Sequence, residues 1–246
     1  MFPLKDNIPT DRFPVVTVTL IVLNVIVYFV LQDGVLGLPD GGETGDWPVR
    51  TYAFIPCEIT QEGACRTAPG GPADWVTVFT AMFMHGSIVH LGGNMLFLWI
   101  FGNNVEDSMG PVRFVVFYLL GGIAATVAQV LTDTGSEVPN LGASGAVAAV
   151  LGGYVLLFPR ARVITVIFII FFFTIVELPA LLILGFWFVQ QALFGYFDLV
   201  QPSGEGGGVA YFAHIGGFVF GLAAIKLFAS ERRRRRQIER VGGGLR

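Results

Sequence analysis

All three histidines of the chain, His85, His90 and His214, lie inside or at the edge of long uncharged stretches, and none sits in a polar tail. An imidazole in an apolar segment costs free energy unless it is paired or useful. For any one of them a helix-to-helix hydrogen bond worth about 1 kcal/mol would be reason enough, so the neighbours decide. On a helix His90 and Asn94 are one turn apart, about 40° around the axis, and aim at one point, whereas His85 is turned away by about 140°. Ser144 stands in Gly142-Ala143-Ser144-Gly145, at the outer end of another stretch. A lone membrane serine ordinarily bonds back to a carbonyl one turn earlier. Here the flanking glycines admit a second backbone, and the adjacent helix N-terminus offers free N–H groups and a positive dipole end, both suited to a developing oxyanion. Beside His214, the residues Ala213, Gly217 and Gly221 form a small-residue stripe for close helix packing. If the partner is the helix of Ser144, imidazole and hydroxyl come within reach, and a serine with an adjacent base is an activated nucleophile. No acid stands in the outer half of these segments, so the unit expected is a Ser144–His214 dyad rather than a triad. Attack on an amide would leave an oxyanion near the Ser144 N–H, with His90 and Asn94 as further donors.

The elements that must position these groups follow from composition. Of 246 residues 54% are hydrophobic and only 13% charged, too few charges to clothe a soluble surface. Six uncharged intervals, bounded by Arg12 and Asp33, Asp74 and Glu106, Arg113 and Asp133, Glu137 and Arg160, Glu177 and Asp198, and Glu205 and Lys226, each approach or exceed the ~20 residues that span a bilayer core. The composition implies an all-α, polytopic, six-helix membrane bundle and excludes soluble enzymes, disordered regulators and outer-membrane barrels. A seventh apolar run, residues 163–176, is too short to span; the expectation is that it lies at the inner interface or extends the start of the fifth span, with a break at Glu177-Leu178-Pro179. Six spans place both termini on one side. The arginine run Arg232 to Arg236 then faces the cytoplasm with Arg113, Arg160 and Arg162, and only Arg50 and Arg66 fall outside. Counting 1.5 Å per residue from these charges sets His90, Ser144 and His214 at one level, roughly 24 to 27 Å above the inner boundary.

The organisation expected is a cytoplasmic segment 1–12, a membrane domain 13–229 and a basic tail 230–246, with an extracytoplasmic first loop at 32–75. That loop holds both cysteines, Cys57 and Cys65, which read either as a disulfide of an oxidising compartment or as two free thiols. The first span reads as a retained anchor, because acidic residues precede it and no cleavage site follows. The arginine run reads as an orientation signal, with anionic-lipid recognition as the alternative; a nucleic-acid partner does not fit a run that follows a span directly. With no organelle-targeting extension before the first span, a bacterial plasma membrane is the expected location.

Three motifs, His85-Gly86-Ser87-Ile88-Val89-His90-Leu91-Gly92-Gly93-Asn94, then Gly142-Ala143-Ser144-Gly145, then Ala213-His214-Ile215-Gly216-Gly217, resemble in order and placement those of the rhomboid family of intramembrane serine proteases. The resemblance implies Ser144 as nucleophile, His214 as general base and acid, His90 and Asn94 with Ser144 as the oxyanion site, and Gly142 and Ala143 as substrate-binding residues. It also implies transmembrane protein substrates, cleaved at the outer level after entry from the bilayer near the second and fifth spans. Neither cofactor nor metal is implied. His85 matches a structural position, as does Glu106 in the turn after the second span. Two departures stand out. Val76 follows Trp75 where some members have Arg, and Ala148 occupies the place of an aromatic ring that in some bacterial members stacks on the catalytic histidine. His214 is then expected to be held by backbone packing or by an aromatic such as Phe218. Trp187 and Phe188 are candidates for gating residues, with ordinary packing or lipid-facing roles as the alternative.

Three other readings compete: a catalytically silent rhomboid-like chaperone, a transporter with a polar pathway through His90, Asn94 and His214, and a three-histidine metal site. Both reacting groups are present, which disfavours the first. The inner halves of the spans offer few polar residues beyond Gln129, Gln190 and Gln191, which disfavours the second. The turned-away His85 and the lack of intramembrane carboxylates disfavour the third.

Overall fold

The computed structural model describes residues 2–32, 47–61, 65, 71–169, 172–200 and 209–243. The N-terminal strand β1 (Phe2–Asp6) leads into α1 (Val15–Ile26), which continues as a π-helical turn to Gln32. Two short helices, α2 (Trp47–Tyr52) and α3 (Pro56–Thr60), belong to the first loop. α4 (Asp74–Thr80) ends in a tight turn at Ala81–Phe83, and the chain then bends by 80° into α5 (Ile88–Phe97), which runs through a π-helical turn into α6 (Asn103–Met109). The bend has a local cause: Ser87 is extended and its hydroxyl accepts the His90 N–H, so a new helix starts there. α7 (Pro111–Val130), α8 (Ser144–Leu157), α9 (Ala180–Val200), α10 (Tyr211–Phe228) and the basic α11 (Glu231–Gly243) complete the helices.

The molecule is a mostly helical membrane bundle, as composition implies. Among the described residues four helices are long and apolar enough to cross a bilayer, namely Val15–Gln32, α7, α9 and α10. The bent pair Asp74–Phe83 and Ile88–Met109 passes the same test as a unit. The fourth uncharged interval contributes α8, which at 14 residues is about 21 Å long and falls short of a core about 30 Å thick. Every residue of α8 from Gly145 to Tyr154 is buried. A helix that is apolar all round is the central one, and its short length sinks Ser144 below the end of the bundle.

The run 163–176 does not extend the helix of the fifth span, which starts at Ala180. It forms an antiparallel hairpin, β2 (Arg162–Ile169) with β3 (Phe172–Pro179), and β1 adds a third strand in the order β1-β2-β3. The run is dense in β-branched and aromatic residues, which favour a pleated surface over a helix, and Phe2–Asp6 supplies a partner for Val163–Val166 that sequence proximity does not reveal. The anticipated break at Pro179 is present, since α9 begins at Ala180.

The ends of the bundle are built differently. At one end Glu106 of α6 accepts the N–H groups of Val16 and Thr17 and the Thr17 hydroxyl at 2.8 to 3.0 Å, capping α1 where its dipole is positive. There Asp6 of β1 accepts from the Tyr154 hydroxyl of α8 at 2.6 Å and from Asn104 at 2.7 Å, and Gln237 of α11 donates to Asp107 at 3.1 Å. Both terminal segments therefore pack on α6. At the opposite end the first loop is tied to the segment before α8 by paired backbone bonds between Phe54 and Asn140, and Cys57 is disulfide-bonded to Cys65.

Candidate active site

Ser144, His214, His90 and Asn94 line one cavity of about 860 Å³ at the first-loop end of the bundle, walled by α5, α8, α9 and α10. α8 and α10 make it possible. A Cβ on Gly217 would overlap the carbonyl oxygen of Gly145, and one on Gly221 that of Ala149, so the two backbones touch along the stripe that Ala213, Gly217 and Gly221 form. Gln129 at the end of α7 caps α10 beside this contact, its Oε1 accepting the Ala213 N–H at 3.1 Å. No hydrogen bond joins Ser144 Oγ to His214 among the described residues; contacts of this kind are commonly loose until substrate is bound.

Ser144 opens α8, and no side chain caps that helix. The N–H groups of its first turn have no partner one turn back, which leaves donors and a positive dipole end at the serine. Gly142 approaches with φ of +132°, a conformation that L side chains rarely adopt; a Cβ there would lie 2.9 Å from both Cε1 and Nε2 of His90 and 3.3 Å from Ser144 Oγ. Glycine is thus required for serine and histidine to stand on either side of one backbone segment. The Gly142 N–H itself is taken by the Ala81 carbonyl at 2.9 Å. Ala143, fully buried, sits at the helix cap. On α5, Asn94 is buried with its Nδ2 lacking any partner, a state that costs about 1 to 3 kcal/mol unless something else pays for it.

His85 does not line the cavity; it precedes the Ser87 cap and so lies outside α5, where an angle counted along one helix does not apply, and it packs edge-on against His90 with ring centroids 5.1 Å apart. Gln32 at the end of α1 brackets it, accepting the His85 N–H at 2.8 Å and donating to its carbonyl at 3.1 Å. Among the described residues no three His, Cys, Asp or Glu side chains converge as a metal site.

The fixing of His214 corrects an expectation. Phe218 stacks on Phe188 at 4.6 Å and does not pair with the imidazole. Instead α9 holds the ring: Gln191 Oε1 lies 2.8 Å from His214 Nδ1, and the Trp187 ring packs beside the imidazole with centroids 5.7 Å apart and the planes tilted by 37°. Trp187 and Gln191 are one turn apart and so share a face. The Trp187 ring also packs against Phe218, and Phe188 stacks on Phe218. Gln191 and Gln129 also lie at the level of Ser144 and His214, not in an inner half; depth counted along a single helix missed this because it did not set α7 and α9 against α10. The one clue in the chain was a glutamine pair, Gln190-Gln191, in an otherwise apolar interval.

Residues 72–231 match the Rhomboid domain. The chain belongs to the rhomboid family. It is 29% identical over 216 residues to the rhomboid protease GluP of Bacillus subtilis, covering 87% of this chain and 35% of that protein. It is 28% identical over 173 residues to the mitochondrial rhomboid protein 1 of Saccharomyces cerevisiae, covering 68% and 46%. It is 29% identical over 202 residues to the human mitochondrial presenilin-associated rhomboid-like protein, covering 75% and 48%. The chain spans less than half the length of each of these relatives.

Proposed function

We propose that the protein is an intramembrane serine endopeptidase that hydrolyses peptide bonds in or near transmembrane segments of membrane proteins. In this reading Ser144 Oγ attacks the scissile carbonyl carbon while His214 Nε2 takes the hydroxyl proton. The oxyanion so formed is received by the Ser144 N–H, by Asn94 Nδ2 and by His90. The tetrahedral intermediate collapses as His214 returns the proton to the departing amine, and water, deprotonated by the same imidazole, then releases the acyl group from Ser144. A substrate strand lying along Gly142-Ala143 would present its carbonyl to all of these groups. The segment must be unwound first, since a helix hides its carbonyls in its own hydrogen bonds.

The observation that carries this reading is the convergence of a serine at a helix N-terminus, a buried histidine and an unpartnered buried amide donor on one cavity. Two features support placing that cavity toward the outer face with both termini cytoplasmic. The disulfide lies at the cavity end, and the arginines of α11, with Arg113 and Arg162, lie at the other.

The test is labelling of detergent-purified protein with a serine-reactive fluorophosphonate, beside cleavage of a single-span model substrate in liposomes. Wild type should label and cleave, and Ser144→Ala and His214→Ala should do neither. Equal labelling of Ser144→Ala overturns the assignment, and a folded wild type that neither labels nor cleaves favours the silent chaperone.

A further inference from the structure

We propose that Gln191 is the positioning residue of His214, occupying the place that a carboxylate holds in a serine–histidine–aspartate triad; the inference rests on the dyad proposed above. Both side chains are buried, Gln191 7% and His214 9% exposed, so the 2.8 Å contact between Oε1 and Nδ1 is shielded from competing water. An amide oxygen only accepts hydrogen bonds, so the ring hydrogen sits on Nδ1 and the lone pair on Nε2. That is the tautomer a general base requires, because only an unprotonated Nε2 can take the serine proton.

A neutral amide suits this place. A carboxylate in an apolar segment would carry a heavy desolvation cost, whereas glutamine fixes orientation and tautomer without a charge. It also explains how His214 is held when Ala148, four residues after Ser144, offers no ring to stack on it. The Trp187 ring packs against the imidazole at a tilt of 37°, and Gln191, one turn further on, holds its edge. The register between α9 and α10 is pinned one turn beyond, at Gly195, where a Cβ would lie 3.2 Å from Tyr211 Cβ. The opposite amide orientation would make Nδ1 an acceptor and put the hydrogen on Nε2, leaving the ring unable to act as base.

The experiment is ¹⁵N NMR of histidine-labelled protein at alkaline pH, where the ring is neutral, with His214→Ala identifying the signal among the three histidines, and with the fluorophosphonate labelling rate measured alongside. Wild type and Gln191→Glu, which keeps an acceptor oxygen at the same reach, should carry the hydrogen on Nδ1. Gln191→Leu should shift it toward Nε2 and slow labelling roughly three- to tenfold, the range expected for one lost hydrogen bond. Hydrogen found on Nε2 in wild type overturns the proposal, even if the leucine variant fails to fold. So does a folded Gln191→Leu with an unchanged tautomer and rate. The tautomer is read without any activity, so failure of the dyad, seen as equal labelling of Ser144→Ala, is a separate result.

Discussion

The contact between α8 and α10 can be broken by one carbon atom. In Gly217→Ala the new Cβ would fall more than about 1 Å inside the 3.4 Å at which ordinary contact with the Gly145 carbonyl oxygen begins. Backbone cannot rotate aside as a long side chain can, so the helices must separate by about that amount. The strain of such overpacking is about 1 to 3 kcal/mol. The larger effect is on the chemistry, since Gly217 is one turn from His214 and Gly145 adjoins Ser144; misplacement of reacting groups by about 1 Å costs about a hundredfold in rate. Cleavage of a single-span substrate in liposomes should therefore fall about a hundredfold, with a modest fall in melting temperature in detergent. Gly185→Ala is the control, because on α9 a Cβ at Gly185 meets nothing within 4 Å, and it should behave as wild type. A Gly217→Ala variant that cleaves at the wild-type rate would refute the argument that close backbone approach assembles the site.

Asn94→Ala should lower turnover by about 2 to 4 kcal/mol in activation free energy while labelling shows an intact fold, and an unchanged turnover would remove Asn94 from the oxyanion site. Glu106→Ala takes three hydrogen bonds from the start of α1 and should cost about 2 to 3 kcal/mol of stability, read from thermal unfolding, with Ser144 still reactive. Asp6 gives stability a pH dependence. Burial raises its carboxyl from 3.8 to about 6, against the opposing pull of the hydrogen bonds from Tyr154 and Asn104. The folded state therefore favours the protonated form, and the contribution, about 3 kcal/mol, is fully present below the ordinary value and lost as pH rises through about 6. Asp6→Asn should flatten the stability profile between those pH values, and a slope unchanged in the variant would assign it to another group.

The residues that line the cavity were legible because their types and spacing stand out: a serine flanked by glycines, His90 and Asn94 one turn apart, His214 beside a small-residue stripe. The helices were legible as intervals without charge. What escaped depends on how elements lie against one another. Nothing local in Phe2–Asp6 says that it pairs with Val163–Val166, and without that partner the run 163–176 reads only as apolar. Gln191 looked like an isolated polar residue because its meaning depends on the register of α9 against α10. The close fit of Gly142 between His90 and Ser144 needed the 80° bend before α5, which a single uncharged interval conceals.

The three-stranded sheet also sets an order of biosynthesis. β1 is synthesised roughly 160 residues before β2, its partner, and before the segment that forms α8. Until then Asp6 has neither the hydroxyl of Tyr154 nor a strand beside it, and its carboxylate stays hydrated. Closure of the sheet thus waits for the hairpin to emerge, and it brings Phe2–Asp6 to the root of the hairpin from which α9 departs.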